Sequence, residues 1–373
     1  MNDDEILYTM ALTRTLPMNY VNQNVLLDAV GSASVVYENR NDIRAVLPSA
    51  TENLQGALYG MDSVLERCKR ELDFARRGHI LCLTKNDPLY PNRLRLCPDA
   101  PILLYYCGNA DLNAKHVINM VGTRHCTEYG KDICRHFIED LSQMVPDLVV
   151  VSGLAYGIDV NAHRVALQNK VPTVGVLAHG LDQIYPRTHR DTAIQMVANG
   201  GLLTEYMSQS HIDKKNFVAR NRIVAGMCEA TIVVESASHG GSLITAGIAN
   251  SYGREVFAFP GRISDQYSEG CNKLISRSEA VCITSAEQFA ETMNWDVESD
   301  AQRKGGIQRQ LFIEFSADEQ CVVDALRGSD GKQVNTLVTD TGMAIGRLTS
   351  LLFELEMKGV VKAMCGSTYR LLD

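Results

Sequence analysis

Read from its first residues, the chain changes hydrophobic rhythm several times. From residue 5 to about 75, apolar and polar side chains recur at helical spacing, with breaks at Gly31 and Gly60. This pattern predicts a small bundle of short helices. Residues 81–109, LCLTKNDPLYPNRLRLCPDAPILLYYCGN, contain Pro88, Pro91, Pro98 and Pro101. Proline lacks a backbone donor and clashes with the preceding helical turn, so the passage predicts short strands joined by turns.

From Val117 a new alternation begins. The runs HVINMV, DLVVVS and PTVGVL are each followed by a helical stretch, at 131–144, 158–168 and 190–199, and GLLTE, TIVVES and REVFAF continue the strands. Strands that are apolar on both faces need cover on both, which predicts a doubly wound parallel sheet from about 110 to 290. Residues 298–306, ESDAQRKGG, have only Ala301 to bury and read as a linker. Helical patterns then follow at 317–327, 334–341 and 343–358, before VVKAMCGSTYRLL, two short runs around Cys365-Gly366. That is winged-helix spacing. The expected division is a helical domain at 1–78, an α/β core at 79–297, a linker at 298–309 and a winged-helix-like domain at 310–373.

Composition narrows the chemistry. With 373 residues, 45% of them hydrophobic, the chain can bury a large core. The opening MNDDE is acidic and no apolar run approaches the roughly 18 residues of a membrane span, so a cytoplasmic, non-membrane protein is expected. Eleven cysteines without any C-x-x-C pair indicate neither a disulfide framework nor a zinc knuckle, and no metal or cofactor is expected. The net charge of −8 lacks the basic excess of a nonspecific nucleic-acid binder, so any such site must be a local patch.

In open α/β sheets ligands bind beyond the carboxyl ends of the strands, which directs attention to the turns there. After the first core strand, Gly122-Thr123-Arg124 offers a guanidinium and backbone amides to an anion; a plain strand-to-helix turn is the alternative. Ser152-Gly153-Leu154-Ala155-Tyr156-Gly157 leads into a helix whose first turn holds Asp159, read as a cap. Asp159 and His163 at i,i+4, with Ser152 nearby, raise a hydrolytic triad, but two members on adjacent helical turns restrict the geometry. A structural His–Asp hydrogen bond is expected instead. At His239-Gly240-Gly241-Ser242, Ser242 is a candidate N-cap, and the glycines could admit a phosphate.

The most informative segment is Lys214-Lys215-Asn216-Phe217-Val218-Ala219-Arg220-Asn221-Arg222, four cations around one aromatic. If it is helical from about Asn216, then Phe217, Arg220 and Asn221 share a face and Arg222 points elsewhere. Base stacking on Phe217 with phosphate contact by the cations suits a single nucleic-acid strand better than a duplex. Phe217 in the core beneath a solvated basic face is the alternative, and the residues alone leave both open.

Together the motifs resemble the DNA-processing protein A (DprA/Smf) family: GTR at 122–124, SGLAYGID at 152–159 with His163, GLDQIYP at 180–186, NFVARNRIVAG at 216–226, GGSLITA at 240–246, FPG at 259–261 and GCNKLI at 270–275. NDPLYPNRL before the core extends the likeness, which covers about 80–290. The resemblance implies an extended Rossmann-like parallel-sheet core between a small N-terminal helical domain and a C-terminal winged-helix-like domain. It also implies a non-enzymatic single-stranded DNA-binding protein that forms a homodimer, protects incoming single strands and helps load the RecA recombinase in natural transformation and recombination. By motif, Arg124, Lys215, Phe217 and Arg220 correspond to the family's DNA-facing residues; Lys214, Asn216, Gly122, Thr123, Gly240, Gly241 and Ser242 complete the expected site. The chain departs from the family pattern with Thr123 for the usual Ser, Tyr156 for the usual Arg, and Ala178-His179 before Gly180. The N-terminal segment resembles the family's sterile-alpha-motif or helix-hairpin-helix module, with GSAS at 31–34 in place of the usual hairpin. In the last domain Arg347 is the main cation of the third helix, which argues against base reading and leaves a protein contact open. The rival reading is a nucleotide-cleaving phosphoribohydrolase of the Lonely-guy type, whose PGGxGTxxE signature is replaced here by HGGSLITAG.

Overall fold

A computed structural model describes residues 3–295, 315–327, 329, 331–364 and 367–372. The expected linker at 298–309 and the Cys365-Gly366 turn lie outside the described residues. The chain divides into two compact units, Met1–Ser299 and Asp300–Asp373.

The first unit opens with helices α1 (Asp3–Thr15), α2 (Tyr20–Val30), α3 (Ala33–Glu38), α4 (Glu52–Tyr59) and α5 (Met61–Arg77). Gly31 ends α2 with φ +96°, in the region that disfavours a Cβ, and Gly60 ends α4. Then come β1 (Leu81–Thr84), the short α6 (Asn92–Arg95), β2 (Leu103–Gly108) and β3 (His116–Val121). The alternation expected from the sequence follows: α7 (Glu128–Met144), β4 (Leu148–Ser152), α8 (Ile158–Gln168), β5 (Thr173–Val176), α9 (Arg190–Ala198) and β6 (Gly200–Thr204). After these lie α10 (Lys214–Gly226), β7 (Ala230–Val233), α11 (Gly241–Ser251), β8 (Glu255–Ala258), α12 (Glu269–Ser276), β9 (Val281–Cys282) and α13 (Ala286–Thr292).

These strands form one nine-stranded sheet in the order β1-β2-β6-β5-β4-β3-β7-β8-β9. It is parallel from β6 through β9, while β2 runs antiparallel to β6 and β1 antiparallel to β2. Both faces are buried, as the apolar runs require. Ile118, Met120 and Val150 pack with α7, α8 and α13 on one face, and Val117, Val149 and Val151 pack with α10 on the other. The chain proceeds from β3 outward to β6 and returns to β7 beside β3, which makes the β3/β7 boundary the topological switch point.

Helices α1–α5 pack through Met10, Leu26, Leu58, Met61 and Cys68 against Leu103 and Tyr105 of the antiparallel margin. Glu71 of α5 accepts hydrogen bonds from the Ser208 amide and hydroxyl and pairs with Arg67. The helical segment therefore shares a compact unit with the sheet.

The second unit comprises α14 (Ala317–Leu326), β10 (Lys332–Gln333), α15 (Val334–Thr341), α16 (Ile345–Met357), β11 (Val361–Met364) and β12 (Thr368–Leu371), with sheet order β10-β12-β11. Val322, Leu326, Leu337, Leu348, Leu352 and Leu355 fill its core. A capping box between Ser316 and Glu319 starts α14. Among the described residues, no helix is long and apolar enough to cross a membrane.

Candidate nucleic-acid interface

The turn after β3 is pinned on both sides. Thr123 donates its amide to the Glu235 carbonyl (2.7 Å) and accepts the Ile158 amide (3.2 Å), so Gly122-Thr123 is fixed and Arg124 projects outward, exposed. At the helix start behind it, two of the amides already have partners. Thr127 caps α7 through the Gly130 amide, and the buried Glu235 carboxylate accepts the Thr127 amide (2.9 Å) and hydroxyl (2.5 Å). A buried carboxylate needs donors, and a helix N-terminus supplies them. Gly130 is required by this arrangement, because a Cβ there would lie 2.2 Å from Glu235 Oε2.

Helix α10 begins two residues earlier than expected, because Asp213 caps it through the Lys215 amide (2.8 Å). Lys214 and Lys215 are exposed in its first turn; Asn216, half-buried, donates to the His211 carbonyl. Phe217 is half-buried, neither sealed in the core nor standing clear in solvent. The Arg124 guanidinium lies 5.9 Å from its ring centroid, and Tyr185 meets it edge-on at 5.7 Å. Two turns that are distant in sequence thus converge on one aromatic ring of α10.

Arg220, expected beside Phe217 on the exposed face, is 5% exposed and turned inward. Its guanidinium donates to the carbonyls of Gly153 (2.7 Å) and Val176, and to Asn221 Oδ1 (3.3 Å). Burial pushes its pKa down, and the nearby Asp159 carboxylate opposes that shift. Arg220 therefore ties together the ends of β4 and β5. Gly153 makes room for it, since a Cβ would stand 2.5 Å from the guanidinium carbon. Arg222 points elsewhere, as expected, pairing with buried Glu205 beneath the Tyr20 ring.

Gly240, Gly241 and Ser242 stand at the end of β7, the strand beside β3. Gly240, not Ser242, is the N-cap of α11, and no side chain caps that helix. The Ser242 hydroxyl is buried and donates instead to Ser236 Oγ (2.8 Å), a nearer acceptor in the same turn. Gly241 is exposed with open space around it.

Ser152, Asp159 and His163 do not assemble into a triad. Ser152 donates to the Met120 carbonyl (2.6 Å), and His163 Nδ1 bonds Thr173 Oγ1 (2.7 Å). Asp159 accepts the amides of Gly153 (3.1 Å) and Ala155 (3.4 Å), bracing the turn before α8 rather than capping the helix. The expected His163–Asp159 hydrogen bond gives way to the Thr173 partner. Burial lowers the His163 pKa to about 3 and depresses those of His179 and His189, so the histidines beneath the turns are neutral near pH 7.

Sequence reasoning passed over Tyr185 and Glu235. Tyr185 lies inside the GLDQIYP motif, and the His179 ring, which accepts the Tyr185 amide at Nε2 (3.2 Å), holds the turn that presents it. Tyr156, in place of the usual Arg, is exposed and meets His189 edge-on at 4.9 Å.

The fold and this edge define a doubly wound α/β protein with a cation-and-aromatic site at its switch point. The chain matches the family model for DNA recombination-mediator protein A over residues 81–294 and that for the DprA winged helix domain over 313–367. It belongs to the DprA/Smf family. It is 40% identical over 205 residues to the DNA processing protein DprA of Streptococcus pneumoniae, covering 55% of this chain and 72% of the relative. It is 32% identical over 329 residues to Protein Smf of Escherichia coli, covering 82% and 84%. Among solved structures it is similar to the Streptococcus pneumoniae DNA processing protein A, with TM-score 0.65 and 32% identity over 76% of this chain and 97% of the other. It is also similar to that of Helicobacter pylori, described for a unique single-stranded DNA binding mode, with TM-score 0.53 and 28% identity over 58% and 97%.

Proposed function

We propose that this chain is a non-enzymatic, cytoplasmic recombination mediator that binds single-stranded DNA across the carboxyl edge of its sheet. The observation that carries the reading is Arg124 beside the Phe217 ring, with exposed Lys214 and Lys215 at the start of the same helix. The cations supply the phosphate term and the ring a base-stacking platform that tolerates any sequence. Arg220 acts as a positioning residue that fixes α10 against the β4 and β5 ends. Gly122 and Thr123 set the Arg124 turn, and Asn216, Gly240, Gly241 and Ser242 shape the rim of the site. Family membership and the single-strand binding of the Helicobacter pylori relative support this reading. Loading of a RecA-type recombinase onto the bound strand, in transformation or recombination, and a homodimeric state extend it.

The test is titration of labelled single-stranded and duplex oligonucleotides at several salt concentrations, with nucleoside monophosphates assayed for base release. Single-strand preference with a steep salt dependence is expected. Phe217→Ala should cost about 1–3 kcal/mol of binding, and Arg124→Ala should flatten the salt slope by about 0.7. Folded variants that bind as tightly as the parent refute the site, and base release favours the phosphoribohydrolase reading.

A further inference from the structure

Beside Arg124 the same edge carries a second aromatic pair that the Phe217 site does not use. His125 and Tyr267 face one another with ring centroids 6.5 Å apart and planes only 26° from parallel. Direct stacking contact is about 3.5 Å, so one flat ring held between two others needs about 7 Å. The pair is therefore close to the spacing of a slot for a single base. We propose that His125 and Tyr267 form a second base-binding position, continuous with the Phe217 platform, so that consecutive bases of one strand are held on either side of Arg124.

The surrounding backbone supports this use. His125 is exposed, and its amide donates to Thr123 Oγ1 (3.1 Å), which fixes the residue directly after Arg124. Tyr267 is half-buried and sits in a turn latched to the end of β7: its carbonyl accepts the Ser236 amide (2.6 Å), and the Ser236 carbonyl accepts the Gly270 amide (2.8 Å). Backbone and side-chain hydrogen bonds thus fix both of the turns that carry the two rings. Ser236 also accepts the Ser242 hydroxyl, which sets the Tyr267 turn beside the start of α11, where Gly241 has open space around it. Arg262, in the same loop, is exposed and forms no ion pair among the described residues, leaving its charge for a phosphate. Arg124 and His125 are adjacent, with Cα atoms about 3.8 Å apart, so the residue that meets the Phe217 ring directly precedes one wall of the slot.

The inference rests on the single-strand reading above and is tested separately from it. Binding of a fluorescein-labelled oligothymidylate about 20 nucleotides long, longer than one binding site, is compared for the parent, Phe217→Ala, Tyr267→Leu and Tyr267→Trp. Tyr267→Leu, which keeps bulk but removes the aromatic face, should bind about ten-fold more weakly. Tyr267→Trp should bind like the parent, and its added indole fluorescence should be quenched by unlabelled strand. A Tyr267→Leu protein within two-fold of the parent, or an indole signal that the strand leaves unquenched, overturns the second position while Phe217→Ala still reports on the first. A parent that ignores the oligonucleotide overturns both.

Discussion

At the carboxyl edge of the large sheet, Arg124, Lys214 and Lys215 are exposed and form no ion pair among the described residues. In the winged-helix unit, Arg327 pairs with Asp324, Lys332 with Asp340, Arg347 with Asp318 and Lys358 with Glu319. The helix that would read DNA in such a unit, α16, instead exposes Ile345, Phe353 and Met357. Winged helices are associated with nucleic acid, yet phosphate binding requires cations that are not already neutralised, and a fold alone does not supply them. The contrast supports the proposed placement of nucleic-acid binding on the sheet edge, while α16 presents exposed apolar side chains instead of unpaired cations.

Arg220 gives the largest expected effect and separates a cation that builds the edge from those that serve it. Arg220→Ala leaves two strand-end carbonyls without their buried donor and removes the positive charge that offsets the burial of Asp159, and should destabilise the first unit by about 3–5 kcal/mol, read as a lowered denaturation midpoint. Arg124→Ala should leave that midpoint unchanged within error. A mild Arg220→Ala phenotype with lost DNA binding would return Arg220 to the DNA-facing group.

Protonation gives a smaller effect. His163 stays neutral in the folded protein down to about pH 3, whereas its ordinary value is 6.5. Between those values the unfolded chain binds more protons, so the contribution of this residue is complete above about 6.5 and is lost as pH falls towards 3. The slope for one such histidine is at most about 1.4 kcal/mol per pH unit. Melting temperatures should fall between pH 7 and pH 5, and His163→Leu should make that fall shallower.

The smallest effect is expected in the second unit. Arg347→Ala breaks an exposed pair worth about 0–1 kcal/mol and should change single-strand binding less than two-fold. If it weakened binding as much as Arg124→Ala, the contrast between the two regions would collapse.

Most of the fold was legible because local pattern dictated it. Apolar runs buried on both faces placed the strands β3 to β8 to within about three residues at each end, and turn residues such as Gly31 and Gly60 ended helices where a break was expected. The site was less legible. Lys214, Lys215 and Phe217 could be singled out by residue type, but whether Phe217 faced the core or the edge depended on Tyr185 and Arg124, which lie 32 and 93 residues away. Helical periodicity placed Arg220 on the Phe217 face, yet could not register the two carbonyls waiting beneath it.

The sequence by itself determined the element order, the parallel core, the winged-helix pattern and the turns where ligand chemistry could sit, because each follows from neighbours a few positions apart. Only the tertiary structure decided which charges remain available. Glu235 takes the amide and hydroxyl of Thr127, the N-cap of α7, Arg220 is spent on β4 and β5, and Arg124 stays exposed beside Phe217. Those outcomes depend on the packing of β3 against β7 and of α10 against the strand ends, contacts that no local pattern encodes.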